Sequence, residues 1–208
     1  EFFKKWTPEM AYILGFFTAD GSMLKNKRGA HFIEFEITDR NLLEKIRESF
    51  GSSHKISIRK RSGKWKTAYR LQIGSKDIFN DLLKLGLVPR KSKRIKLPFI
   101  PQEYFSHFVR GYFDGDGNVW SGLQHKNNRV KKTKIIFTRF TSGNKNFLTE
   151  FATRLSNETG TSKNPSILFY SGAHRLSYSI RDSIRIYNFI YPDVAKLYLL
   201  RKKIIFEK

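Results

Sequence analysis

The 208-residue sequence predicts an α+β chain built from two similar halves, each ordered α-β-β-α-β-β-α. Three observations lead there. A ten-residue pattern recurs 96 positions downstream: residues 12–21 read Tyr-Ile-Leu-Gly-Phe-Phe-Thr-Ala-Asp-Gly and residues 108–117 read Phe-Val-Arg-Gly-Tyr-Phe-Asp-Gly-Asp-Gly. Apolar/polar alternation of strand type follows each copy, and helix and strand signals then come in the same order in both halves.

The first copy lies on a helix. Thr7 can cap it, Pro8 fits its first turn, Glu9 complements its dipole, and Gly21 stops it. Residues 30–38 alternate as a strand, with Ile33, Phe35 and Ile37 on one face and Glu34 and Glu36 on the other. A short amphipathic helix is expected near 41–50, then strands near 54–61 and 65–73 around the Ser62-Gly63 turn. A helix near 76–85 ends at Gly86. In the second half Pro101 is expected to start the motif helix, and a strand lies near 134–141. A helix at about 146–159 stops at Gly160, strands near 166–171 and 174–181 flank Ser171-Gly172, and helices fill 183–190 and 193–206. The basic stretch 88–100, with Pro89 and Pro98, suits a linker, which divides the chain into lobes of residues 1–95 and 96–208.

Lys and Arg number 40 against 18 Asp and Glu, a formal charge of +22. A polyanionic partner is the economical reading of that excess. No apolar run approaches the roughly 20 residues of a membrane-spanning helix, and the start shows no signal-peptide pattern. Zero cysteines exclude disulfides and thiolate zinc sites, and fit an intracellular setting, whether a bacterial or archaeal cytoplasm or an organelle. The five histidines show no metal-ligand spacing.

Each repeated motif ends in an acid, Asp20 or Asp116, followed by glycine. A carboxylate at a helix C-terminus adds to the negative charge of the exposed carbonyls there unless a cation joins it. The small pairs Gly15/Ala19 and Gly111/Gly115 would let two such helices approach closely, and their ends together would form a negative pocket. A hard divalent cation with oxygen ligands suits it, Mg²⁺ above all, because one or two carboxylates are then completed by phosphate and water. One Asp-Gly helix end is an ordinary turn; two, in matching element orders within a strongly basic chain, point to a shared site. The run Asp114-Gly-Asp116-Gly-Asn118 begins like a calcium loop, but Val119 stands where that loop needs glycine and His125 where it needs glutamate.

The two motifs resemble those of the LAGLIDADG homing endonucleases, in the single-chain form that carries both. The resemblance covers essentially the whole chain and implies two pseudo-twofold-related lobes, each an antiparallel saddle-like sheet, joined at the packed motif helices. It implies Mg²⁺-dependent hydrolysis of both strands of duplex DNA across the minor groove, leaving short 3′ overhangs, with Mn²⁺ or Ca²⁺ able to occupy the same site. Asp20 and Asp116 would be catalytic metal ligands, and Ala19 and Gly115 would offer backbone carbonyls. A second echo, Arg-Lys-Ser-Lys-Arg-Ile at 90–95 and Arg-Lys-Lys-Ile-Ile at 201–205, maps Lys91 and Lys202 onto the family's lysines beside the metals. Asp39 and Ser142 match the polar positions at the active-site periphery, where the family often has glutamine. The family also implies a monomer on a long asymmetric DNA site, encoded within an intron. Alternatives on the same fold are an RNA-binding intron maturase and a non-catalytic DNA-binding regulator.

The polar strand faces supply candidate DNA-binding residues. In the first half they are Glu34, Glu36, Lys55, Ser57, Arg59, Arg61, Lys66, Arg70 and Gln72; in the second, Thr133, Arg139, Arg175, Ser177, Ser179 and Arg181. Arg can pair with guanine, Gln with adenine and Glu with cytosine in the major groove. Ile135 and Phe137 interrupt the alternation of the second set.

Overall fold

The structure is a computed structural model and describes residues 2–60, 63, 66–125, 131–191 and 195–208. The chain divides into two compact units: Glu1–Gly115 with Lys196–Leu199, and Asp116–Ala195 with Leu200–Lys208.

In the first unit, helix α1 (Pro8–Asp20) starts where Thr7 Oγ1 accepts from the Met10 amide at 3.1 Å. It is followed by β1 (Ser22–Lys25), β2 (His31–Ile37), α2 (Arg40–Ser49), β3 (Ile56–Arg59), β4 (Ala68–Gly74) and α3 (Lys76–Lys84). The four strands form one antiparallel sheet in the order β1-β2-β4-β3. Alternation along β2 buries Ile33, Phe35 and Ile37, and register sets Phe35 beside Leu71 and Ile33 beside Ile73. Phe16 and Phe17 of α1 pack on Phe35, with ring centroids 6.4 and 5.2 Å away. Leu42, Leu43 and Ile46 of α2 and Phe79 and Leu82 of α3 are buried as well. Helix α4 (Phe105–Asp116) starts in this unit and is preceded by a 3₁₀ turn at Gln102–Tyr104.

The second unit repeats the topology. Strand β5 (Gly117–Gln124) leads to β6 (Thr133–Ser142), α5 (Lys145–Thr159), β7 (Ser166–Tyr170), β8 (Ala173–Tyr178), α6 (Ile180–Ile190) and α7 (Leu200–Glu207). Its antiparallel sheet is ordered β5-β6-β8-β7. Asn144 caps α5, its side chain accepting from the Asn146 and Phe147 amides, and Gly160 ends that helix at φ +67°. Phe140 of β6 meets Phe151 of α5 at 4.9 Å between centroids, and Leu176 and Ile186 are buried with them. Ser171 and Gly172, both at positive φ, make the two-residue turn between β7 and β8, a geometry whose twist matches that of the strands. Among the described residues no helix is long and apolar enough to cross a membrane.

Several boundaries differ from the sequence expectation. The first strand of each α-β-β-α-β-β-α repeat along the chain is β1 or β5; four residues are too few to show alternation in β1, and two glycines dilute it in β5. The motif helix starts at Phe105 rather than Pro101, because residues 102–104 take the tighter 3₁₀ turn. Strand β8 ends at Tyr178, so Ser179 and Arg181 are not on a strand: Ser179 is the N-cap residue of α6, and Arg181 is in its first turn. The physical reason is local, since Ser183 Oγ turns back to donate to the Tyr178 carbonyl at 3.1 Å. The helix expected over 193–206 begins only at Leu200, because the backbone of Leu197 and Leu199 is bound by side chains of α4.

Candidate active site

Helices α1 and α4 meet through their small residues. A Cβ on Gly15 would lie 2.0 Å from the Phe108 carbonyl oxygen, and one on Gly111 would lie 1.9 Å from that of Tyr12. Further along, a Cβ on Gly115 would come within 2.4 Å of the Ala19 Cβ. The backbones therefore touch at Gly15 and Gly111, and at the last turn of α1 the Ala19 methyl fills the space beside Gly115. Asp20 ends α1 exposed to solvent, and Asp116 ends α4 half-buried.

Each acid has a buried lysine one peptide away. In the first unit Lys91, 9% exposed in a 3₁₀ turn at Lys91–Lys93, donates from Nζ to the carbonyl of Gly21 and, at 3.5 Å, to that of Ala19. Its ammonium also lies 5.7 Å from the centre of the Phe17 ring. In the second unit Lys202, 6% exposed on α7, donates to the carbonyl of Gly117 at 2.7 Å. The two units thus repeat one device, in which an ammonium sits on the carbonyl of the glycine that follows the helix-terminal acid. A cation held at the negative end of a helix offsets the charge of the carbonyls there. Buried amines fixed in this way need no rearrangement to act on charge that develops beside them.

Asp114 has a task that its place in the motif does not disclose. Its Oδ2 accepts from Tyr12 Oη at 2.7 Å and from the Leu199 amide at 2.8 Å, and the residue is 2% exposed. One turn earlier, the buried Arg110 donates from Nε to the Leu197 carbonyl at 2.8 Å and stands 5.4 Å from the centre of the Tyr12 ring. The pair binds the segment Lys196–Leu199 to α4. Arg110 also contacts His107 Nδ1 at 2.9 Å; burial first, and the guanidinium second, lower the His107 pKa to about 4. The sequence signal for this was an Arg and an Asp four apart within an apolar helix, where each needs a buried partner.

Asp39 and Ser142 make local bonds. Asp39 Oδ1 accepts from the Leu42 amide at 3.0 Å as the N-cap of α2, and the buried Ser142 accepts from the Asn144 amide at 3.1 Å. Among the described residues no three His, Cys, Asp or Glu side chains cluster as a metal cage.

The outer face of the first sheet is polar at its centre, with Leu24 opposite Phe32 toward β1. Glu34 is registered opposite Gln72, and Arg70 opposite both Glu36 and Ser57. Glu34 Oε2 accepts from Arg70 at 3.2 Å and from Gln72 at 3.0 Å, and Arg59 stands 4.0 Å from Glu36. Lys55 and Lys66 are exposed beside the strands, and Arg61 lies outside the described residues. In the second sheet Arg139 is registered opposite Ser177 and donates to its hydroxyl at 3.3 Å. Thr133 and Arg175 are on the same face. Ile135 and Phe137, which interrupt the alternation, also lie on this outer face with Trp120.

Residues 7–91 match the family model of the LAGLIDADG-like domain. An uncharacterized protein of Methanocaldococcus jannaschii is 25% identical over 122 residues, a match that takes in 55% of this chain and 41% of that protein, so the chain spans less than half of that relative's length. Among solved structures, the meganuclease I-SmaMI bound to uncleavable DNA aligns over 94% of this chain and 86% of its own, with TM-score 0.64 and 17% identity. I-SmaMI bound to an uncleaved DNA target with calcium ions gives TM-score 0.62 at 17% identity, over 95% and 87% of the two chains. The LAGLIDADG meganuclease I-AabMI bound to uncleaved DNA gives 0.64 at 14% identity, over 97% and 88%. Two four-stranded antiparallel sheets, set in an α-β-β-α-β-β-α order that repeats along the chain, define the α+β fold of the two-domain LAGLIDADG meganucleases. The family match thus rests on residues 7–91, and the likeness of the chain as a whole to these meganucleases is one of fold.

Proposed function

We propose that the chain is a site-specific DNA endonuclease that hydrolyses both strands of a duplex. The observation that carries this reading is the repeated device of a helix-terminal acid with a buried lysine on the next carbonyl, Asp20 with Lys91 and Asp116 with Lys202. A lysine can serve a single helix end structurally; the same buried ammonium beside both repeated acids is what favours a shared chemical task. The DNA-bound states of I-SmaMI and I-AabMI, and the charge of +22, favour duplex DNA as the partner.

In this reading Asp20 and Asp116 bind a divalent cation, with the carbonyls of Ala19 and Gly115 as further oxygen donors. An all-oxygen donor set of carboxylates and carbonyls fits Mg²⁺, which keeps waters and takes phosphate oxygens as ligands. The cation, when bound, supplies activated water and stabilises the leaving oxygen. Lys91 and Lys202 stabilise charge developing on the phosphoryl group, one on each strand. The outer sheet faces grip and read the duplex, with Asp39 and Ser142 at the edge of the site. The enzyme acts as a monomer, because the second unit supplies what a partner chain would, and an intracellular, intron-encoded origin accords with the family.

Incubation with a randomised duplex library and Mg²⁺, followed by sequencing of the cut ends, tests the activity. Asp20→Asn and Asp116→Asn are each expected to abolish double-strand cleavage while binding stays within a few-fold of the parent. Wild-type double-strand cleavage by either variant would overturn the shared-site reading. Specific binding without any cleavage would instead favour the regulator, and binding to structured RNA alone the maturase.

A further inference from the structure

The outer face of the second sheet carries a stacked aromatic pair beside its polar centre. At the centre of the first face Glu34, Glu36, Arg70 and Gln72 bond to one another across strands or lie in register. On β5 and β6, whose counterparts β1 and β2 set Leu24 opposite Phe32, the second sheet carries Trp120 opposite Phe137, with ring centroids 5.6 Å apart and planes 21° from parallel. Trp120 is 42% exposed although it is large and apolar. Its ring lies over Gly122, where a Cβ would come within 2.6 Å of the indole, so glycine there provides the seat. The Arg139 guanidinium stands 5.2 Å from the centre of the Phe137 ring and is also held by Ser177. On the neighbouring strands Arg175 stands 4.1 Å over the ring of Tyr170.

We propose that this face is a thymine-reading surface, on which Trp120, backed by Phe137, packs against C5 methyl groups in the major groove of duplex DNA. The proposal rests on the reading of the sheets as the DNA-contacting faces, and adds what the second of them recognises. Thymine alone among the four bases offers a methyl group to the major groove, and apolar side chains are its recognition partners. A ring already stacked and seated loses little conformational freedom on binding. Arg139 and Arg175, interleaved with the rings in a chain of charge +22, select a polyanion over an apolar protein or a lipid surface.

Deoxyuridine tests this atom by atom, since it removes the methyl and leaves every hydrogen-bonding group of thymine in place. A preferred duplex is first selected from a random pool with the wild-type protein, and each thymine in it is then replaced singly. At one or two positions within one half of the site, binding is expected to weaken about fourfold, the size of one buried methyl group. With Trp120→Ala, thymine and deoxyuridine at those positions should bind equally. Equal binding of both bases by the wild-type protein at every position would overturn the proposal, and so would a selected half-site without thymine. Discrimination that survives in Trp120→Ala would overturn the role of that ring. A change of sedimentation coefficient in Trp120→Ala without loss of discrimination would mark the face as a contact between copies. A pool that yields no preferred sequence would defeat the underlying DNA reading instead, which keeps the two failures distinct.

Discussion

Replacing Gly15 with alanine tests whether backbone contact holds α1 and α4 together. The added Cβ would lie 2.0 Å from the Phe108 carbonyl oxygen and 2.9 Å from the Tyr112 nitrogen, both main-chain atoms that no rotamer change can move aside. Restoring even a 3.0 Å contact requires the helices to part by roughly 1 Å, which loosens the dispersion contacts of their buried residues. Overpacking of a close-packed interior costs about 1–3 kcal/mol, and a clash against backbone belongs at the upper end. Alanine returns about 1 kcal/mol through its better helix propensity. The net expectation is a loss of about 2 kcal/mol, or roughly 4–8 °C in the thermal midpoint of a chain of this size. Gly111→Ala, with its Cβ 1.9 Å from the Tyr12 carbonyl oxygen, should behave alike. Once one substitution has parted the helices the other finds space, so the double variant should lose less than the sum of the two. Thermal and urea unfolding followed by circular dichroism read these quantities. A Gly15→Ala protein as stable as the parent, or strict additivity in the double variant, would refute the account.

Lys91→Met is expected to slow single-turnover cleavage at saturating DNA far more than it weakens binding, because the amine it removes is buried on the carbonyl next to Asp20. A lysine that only gripped a phosphate would instead lower affinity and reduce the salt slope by about one; an unchanged rate with weaker affinity would move Lys91, and Lys202 with it, out of the chemistry. The depressed pKa of His107 predicts a pH-dependent stability with a definite sign. Its folded value of about 4 lies below the ordinary imidazole value of 6.5, so the unfolded chain binds the proton more tightly. The contribution of His107 to stability is complete above pH 6.5, declines as pH falls toward about 4, and is constant below that. Urea unfolding of the parent and of His107→Gln at pH 7 and pH 4.5 should show a smaller decline in the variant, and equal declines would place the titration elsewhere.

The features legible in the sequence are those set by neighbours along the chain. Thr7, Pro8 and Gly21 bound α1 because capping, the first helical turn and helix termination act within a few residues. The buried face of β2 followed from period-two alternation, and the internal repeat foretold two sheets with one topology. The presence of Gly15 and Gly111 suggested close approach, but their partners, the Phe108 and Tyr12 carbonyls, depend on how α1 and α4 dock. Tertiary structure alone decided what happens to groups whose partners are distant in sequence. Asp114 Oδ2 accepts from Tyr12 and Leu199, 102 and 85 residues away, and Arg110 donates to Leu197; those bonds keep residues 197–199 out of the helix expected there. Strand β1 forms through pairing with β2, since four residues carry too little pattern of their own. The second sheet shows the same division. Ile135 and Phe137 looked like breaks in a polar face until register set Phe137 against Trp120 and the Arg139 guanidinium over the ring. Alternation is a property of one strand, whereas the chemistry of a face is shared by strands whose pairing is fixed only when the sheet assembles.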